Sequence, residues 1–166
     1  MIGLIFASTP SHIIGINNTI PWYYHLDFKR FKDITLGSTV IMGRKTFESM
    51  GCKLLKGRDN ILISSTPDER LLTFSTIPQA LEFSTGSTWF IGGKKIYEEA
   101  LNLGVVDVID ATIVPELEGS LEGMNVTRFN PEPWLKDFER VGVEEHQQHP
   151  DERLTSMVFH KPFVSS

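Results

Sequence analysis

The chain has 166 residues, 40% of them hydrophobic and 22% charged, a balance that supports a buried core and excludes an intrinsically disordered chain. Sixteen Lys and Arg against twenty-one Asp and Glu leave a net charge of −5. That argues against a general nucleic-acid or anionic-membrane binder, while leaving room for a local basic pocket. A single cysteine, Cys52, excludes an internal disulfide or a multi-cysteine zinc site, so the reading is an intracellular protein that rests on its core.

In chain order, Ile2 to Ala7 is apolar on both faces and reads as a buried first strand. It has no basic flank and ends at Ser8-Thr9-Pro10, too short for a signal peptide. No stretch approaches the ~20 apolar residues of a bilayer span, and the expected location is the cytoplasm. Ile14-Gly15-Ile16-Asn17-Asn18-Thr19-Ile20-Pro21-Trp22 reads as a loop in which Gly and Asn offer positive φ and Pro21 sets the approach to a helix. Helical spacing follows over Leu26–Leu36, Lys45–Met50, Pro78–Phe83 and Lys94–Leu103. Strand-length apolar runs lie between, at Thr39–Met42, Asn60–Ser64, Thr88–Ile91 and Val105–Val114. This alternation predicts an α/β fold with a largely parallel sheet covered on both faces. Phe138–Glu144 and Leu154–Lys161 read as two strands joined through His146–Asp151, an antiparallel hairpin at a sheet edge. No repeat or linker divides the chain, so one domain is expected over residues 1–163, with 164–166 as a tail.

The segment Asp27-Phe28-Lys29-Arg30-Phe31-Lys32-Asp33-Ile34 carries the first chemical signal. At 3.6 residues per turn Tyr24, Asp27, Phe28, Phe31 and Ile34 share one face, and Lys29, Arg30, Lys32 and Asp33 the other. Asp27 is then an acid on the apolar stripe, where an unpaired carboxylate costs several kcal/mol or rises in pKa. A partner for it, or an ordinary favourable charge in the first helical turn, are the two explanations. Trp22, just upstream, is either a pocket wall or a core residue.

Three presumed strand ends share a phosphate-binding logic. Val40-Ile41-Met42-Gly43-Arg44-Lys45-Thr46 runs strand, glycine, two cations, hydroxyl, helix. Phe90-Ile91-Gly92-Gly93-Lys94-Lys95-Ile96-Tyr97 repeats it, and Ile63-Ser64-Ser65-Thr66-Pro67 ends a strand in hydroxyls. Free helix N–H groups and cations suit a phosphate, and open α/β sheets bind ligands at the carboxyl ends of their strands. Neither G-x-G-x-x-G nor the Walker pattern is present. The expected ligand is a phosphorylated dinucleotide. His12, His25, His146, His149 and His160 lack metal-ligand spacing, and no metal is expected.

In order and spacing, Gly15…Pro21-Trp22, Leu26-Asp27…Phe31-Lys32, Val40 to Ser49, Gly57-Arg58…Asn60 and Ile91-Gly92-Gly93…Ile96-Tyr97 resemble dihydrofolate reductase in its short bacterial or phage-like form, from Met1 to about Lys161. The resemblance implies a mostly parallel, roughly eight-stranded mixed sheet with about four helices, and NADPH-dependent reduction of 7,8-dihydrofolate to tetrahydrofolate, a step in one-carbon metabolism. It implies that Asp27 faces the pterin and favours protonation of the ring nitrogen beside the acceptor carbon. Ile5, Ala7, Phe31, Met50, Leu54, Ile91 and Thr112 would line the substrate, and Arg58 would pair with the glutamate tail. Arg44, Ser64, Ser65 and Thr66 would hold the 2′-phosphate of NADPH. Gly43, Lys45, Thr46, Lys94, Lys95 and Ile96 would hold the pyrophosphate, beside a cis bond between Gly92 and Gly93. Ala7, Ile14, Gly15, Asn18 and Tyr97 would border the nicotinamide, and the Gly15–Trp22 loop would close over the centre.

The chain also departs from the family. A Thr that normally bonds the acid falls by count on Ala111, with Thr112 beside it on the opposite face. Either a bulge turns Thr112 inward or a water replaces the hydroxyl. Ser120 stands where many relatives have an acid that contacts the lid. Cys52-Lys53-Leu54-Leu55-Lys56 lacks the usual prolines and is one residue longer, and Lys94 replaces a frequent glycine. The rival expectations are a pteridine-type reductase and a non-catalytic dinucleotide-binding or structural member; a monomer acting on a small molecule, sensitive to antifolates, is expected.

Overall fold

A computed structural model of the chain describes residues 1–149 and 152–162. The elements run β1 (Ile2–Ser8), β2 (Ile13–Ile16), α1 (His25–Thr35), β3 (Thr39–Gly43), α2 (Arg44–Ser49), β4 (Asp59–Ile63), β5 (Leu72–Phe74), α3 (Ile77–Phe83), β6 (Thr88–Gly92), α4 (Lys94–Asn102), β7 (Val108–Ile113), β8 (Val126–Arg128), α5 (Glu132–Leu135), β9 (Glu139–His149) and β10 (Glu152–His160). Eight strands form one sheet in the order β5-β4-β3-β6-β1-β7-β10-β9, and β2 pairs with β8 in a separate ribbon. From β5 to β7 every pairing is parallel; β10 runs antiparallel to β7 and β9. The mostly parallel sheet and its edge hairpin match the expectation.

Period-2 alternation along the central strands divides the core into two layers. Leu4 and Phe6 of β1 join Ile41, Phe90, Ile96, Tyr97 and Ala100 on one face. Ile5 joins Val40, Met42, Phe47, Leu62 and Trp89 on the other, with Phe31 and Ile34 of α1 packed against them. Long runs without a polar side chain are what strands covered on both sides require. The first face also holds an aromatic cluster, Phe6–Phe129 at 5.1 Å edge to face and Tyr97–Phe129 at 5.0 Å.

The differences from expectation have local causes. Ile14–Ile16, read as the start of a loop, belong to a strand, Ile13–Ile16, because β8 pairs with it. Residues 105–107 precede β7 rather than belonging to it. The hairpin is longer than predicted, because β9 continues through the polar run His146–His149 opposite β10. An edge strand with one solvated face tolerates such residues, which periodicity reads as loop. The short elements β5, β8 and α5 were not foreseen. The hairpin tip Pro150-Asp151, residue 163 and the tail 164–166 lie outside the described residues.

The adjacency of β1 and β6 is tight. A methyl group built on Gly3 would run into the Trp89 indole, which is itself buried. Gly3→Ala is therefore expected to lower stability by about 1–3 kcal/mol through overpacking, measured by urea denaturation.

Candidate active site

Helix α1 starts without a side-chain cap, with Asp27 in its first turn and its backbone N–H bonded to the Tyr24 carbonyl at 3.1 Å. The carboxyl group is largely withdrawn from water, and its pKa rises from 3.8 to about 6. Desolvation is the leading cause; the Trp22 indole and Arg30 oppose it, and the charge of Asp110 adds to it. Trp22 packs with Val114, Ala7, Tyr24 and Leu26. Its buried Nε1–H makes no hydrogen bond of ordinary geometry among the described residues, yet lies near enough to the carboxylate to favour its charge. Phe28, assigned to the same stripe, is instead exposed and stacks on Tyr23 at 5.0 Å.

Arg30 also departs from the sequence reading. Rather than facing solvent with Lys29, it reaches β7 and donates from both terminal nitrogens to the two oxygens of Asp110, the Nη2–Oδ2 bond being 2.6 Å. The side chains are 19% and 5% exposed. Nη1 also donates to Thr112 Oγ1 at 3.4 Å. In β7, Asp110 pairs with Ile5, Ala111 with Phe6 and Thr112 with Ala7, with no bulge. Ala111 therefore joins the Phe6 side of the core, and Asp110 and Thr112 face α1. Ordinary alternation turns Thr112 inward, so the hydroxyl needs no irregularity.

Ile5, Phe31, Met50 and Ile91 pack in one cluster and Ala7 in the next. Leu54 is 49% exposed, while Leu55, like Phe31, Ile34 and Met50, packs against the second core face. The extra residue in this loop shifts the inward position by one. Asn60 ties the loop down: its side chain accepts from Leu55 N–H at 2.9 Å and donates to the carbonyls of Leu55 and Arg58, each at 2.9 Å. Arg58 donates to the Lys56 carbonyl at 3.0 Å and to Thr35 Oγ1 at 3.2 Å, with part of its fork uncommitted. Tyr97 Oη donates to the Ile5 carbonyl at 2.8 Å; burial and the nearby Asp27 charge hold the phenol protonated well above its usual range.

The three strand ends identified from sequence come together at the carboxyl edge of the sheet. Gly43 ends β3 and Gly92 ends β6, and neither Gly43 nor Gly93 caps its following helix with a side chain. Gly92 has φ +128, and a Cβ there would lie 3.2 Å from both Thr46 Oγ1 and Tyr97 Oη. The Gly92–Gly93 bond is cis. Lys45, Lys94, Lys95, Ser65 and Thr66 are exposed along the groove, while Ile96 is buried beneath it. Arg44 donates to Asp68 at 2.6 Å, to the Thr66 carbonyl at 2.9 Å and to Ser64 Oγ at 3.4 Å. Asp68, 7% exposed at its side chain, also accepts from Arg70, and these two arginines hold its carboxyl well below the usual range.

At the lid, Ile14 packs on the first core face and Gly15 is buried in the β2–β8 ribbon. Asn17 and Asn18 have φ of 50 and 63. Asn17 N–H donates to the Asn125 carbonyl at 2.8 Å, and Asn125 N–H to Asn17 Oδ1 at 3.1 Å. Ser120 instead accepts from Glu122 N–H within its own turn. Among the described residues Asn125, not Ser120, is hydrogen-bonded to the Asn17 turn.

With this geometry, the sequence matches the family model for dihydrofolate reductase over residues 1–161. The chain belongs to the dihydrofolate reductase family. It is 40% identical over 106 residues to a type 3 dihydrofolate reductase of Salmonella typhimurium, covering 61% of this chain and 65% of that one. It is 44% identical over 103 residues to a bifunctional dihydrofolate reductase-thymidylate synthase of Paramecium tetraurelia, covering 59% and 22%. In both, the matched stretch spans less than two thirds of the relative. A solved dihydrofolate reductase from Enterococcus faecalis, complexed with NADP(H) and RAB-propyl, superposes with a TM-score of 0.83 at 28% identity, covering 97% and 96% of the two chains.

No helix among the described residues is long and apolar enough to cross a membrane, and no cluster among them could hold a metal. Sequence reasoning missed Arg30, Asp110, Asp68 and Arg70. The only available signal for the first pair was an acid in an otherwise apolar strand, Val108-Ile109-Asp110-Ala111.

Because the fold raises the Asp27 pKa, the protonated form is favoured in the folded state. That contribution is complete below pH 3.8 and is lost as pH rises toward 6. Asp27→Asn is expected to be more stable than the parent above pH 6, by roughly 2–3 kcal/mol, and to lose the advantage near pH 4. Urea denaturation at the two pH values checks this.

Proposed function

We propose that this chain reduces 7,8-dihydrofolate to tetrahydrofolate with NADPH, with Asp27 as the residue that recognises the pterin and promotes its protonation. The supporting observation is a half-buried carboxyl group whose desolvation raises its pKa to about 6, on the same fold as a cradle where two glycine-ended strands meet two helix starts. A planar pair of N–H donors is the chemistry such a carboxylate lacks. A pKa near working pH suits a group that must favour a proton at the ring nitrogen next to the carbon being reduced.

The residues fit the cofactor. The close approach at Gly92, where a Cβ would crowd Thr46 and Tyr97, and the uncapped start of α4 suit a pyrophosphate, with Gly43, Lys45, Thr46, Gly93, Lys94 and Lys95 around it. Arg44, held by Asp68 against Ser64 and Thr66, would take the 2′-phosphate with Ser65. Bound NADPH supplies the hydride; the protein orients the rings and excludes water beneath the Gly15–Trp22 lid, with Ile14 and Asn18 at its rim. Ile5, Ala7, Phe31, Met50, Leu55 and Ile91 form the substrate wall, Leu55 taking the place first assigned to Leu54. Thr112 lies on the substrate side of β7, and Arg58 offers its free donors to the glutamate tail. The acidic balance argues against nucleic-acid and membrane partners, and the lone free cysteine suits a reducing, cytosolic setting; a monomer is the default for a chain of this size.

Asp27→Asn is expected to lose about 100-fold in rate near neutral pH and to recover as pH falls, where substrate arrives protonated. Unchanged rates at pH 7 would remove the role given to Asp27. Arg44→Ala is expected to raise KM for NADPH by about tenfold while leaving KM for NADH nearly unchanged. Steady-state assays with each dinucleotide check this, and a pterin without the glutamate tail tests Arg58 in the same format.

A further inference from the structure

Asp27 and Arg30 lie three residues apart on α1. At that spacing two side chains on a helix are neighbours, about 5–6 Å apart at Cβ, and opposite charges pair by default. Here the default is not taken. Among the described residues Asp27 has no ion-pair partner within 4.0 Å, and Arg30 is turned across to β7, where Asp110 takes both of its terminal nitrogens. Asp110 is fixed in mid-sheet, paired with Ile5 on one side and Val158 on the other.

We propose that Asp110 is a positioning residue: by holding Arg30 in a two-point ion pair on β7, it keeps that cation off the Asp27 carboxylate and leaves the carboxylate free for the pterin. The bidentate geometry matters, because a planar fork on a planar carboxylate has one good orientation, and here that orientation faces away from Asp27. Thr112 Oγ1 accepts a further bond from the same nitrogen. The other groups facing the pair leave this assignment intact. Glu144 of β9 acts on Arg30 in the same sense as Asp110. Trp22 bears on Asp27, and the buried Tyr97 of α4 feels the Asp27 charge. His146 of β9 is bonded to Ser156, the β10 residue opposite Thr112. Arg30 has an acid three residues away on either side in its own helix; Asp33 is paired with Lys29 at 3.1 Å, and Asp27 is the one whose charge acts on Arg30. Without Asp110, pairing there would hold Asp27 ionised and occupy the oxygens that the substrate needs.

This assignment rests on the catalytic reading of Asp27, so the test separates the two. The Asp27 carboxyl is followed by carbon-13 NMR titration of the full chain, assigned by its loss in Asp27→Asn, and the rate of hydride transfer is profiled against pH. Asp110→Asn is expected to lower the Asp27 titration by about one pH unit and the rate at pH 7 by about tenfold, with recovery at lower pH. The double variant Arg30→Met with Asp110→Asn is expected to return the titration to within about 0.3 unit of the parent and the rate to within about threefold, because neither charge is left alone. An unmoved titration in Asp110→Asn, or a double variant no better than the single, overturns the proposal. If Asp110→Asn alone does not fold, Arg30→Met carries the test: the titration should rise by about half a unit and return in the double, and no movement overturns the proposal. A shifted titration with an unshifted rate profile upholds the placement of Arg30 and removes the catalytic role of Asp27.

Discussion

An acid kept among apolar side chains is the constraint around which this molecule is arranged. Water would solvate the Asp27 carboxylate far better than the partly desolvated site does, so the fold must supply something that tolerates the group without neutralising it. It does so with graded influences. Desolvation raises the pKa, the Trp22 indole restrains the rise, and the charges of Arg30 and Asp110 oppose each other. The result is a value near 6, where a small change in surroundings alters the protonation state. Such a group lowers the stability of the free protein at neutral pH, as sites built for a ligand commonly do.

The opposite end of the cleft solves a different problem. Phosphate groups need donors and cations at close range, and side chains at the wrong positions would block their approach. Parallel strands help because their carboxyl ends all open on one edge, where each following helix begins. Gly43 and Gly92 end their strands at that edge without a side chain, Ile96 lying close to the first and Thr46 and Tyr97 close to the second. Asp68 then gathers Arg44 and Arg70 on one carboxylate. Arg44 is in this way held against the Ser64–Thr66 turn rather than left to wander.

Much of this was legible in the sequence, and the residues say why. The central strands are continuous apolar runs bounded by glycine, so β1, β3, β6 and the parallel sheet follow from local pattern. Asp27 stood out because its helix is otherwise regular. What periodicity could not reach was any pairing across distant positions. Arg30 reads as a solvent-facing residue until β7 is placed beneath α1, and Asp110 reads as an oddity in a strand until Arg30 meets it. Ala111 aligns by count with a position that ordinary alternation gives to Thr112, since pattern cannot say which face of β7 meets α1. Leu54 and Leu55 are indistinguishable until the loop is anchored by Asn60. The polar stretch His146–His149 reads as a loop because only its partner strand makes it regular.

The first strand of the chain sits between two of the later ones, with Ile2 beside Thr88 and Gly3 beside Val108. As the polypeptide leaves the ribosome, its opening residues therefore have neither neighbour to pair with. Closing such long loops costs entropy before any contact repays it. The middle of the sheet can be completed only after β7 has emerged, so the nascent protein must carry an apolar strand with at least one open edge until then.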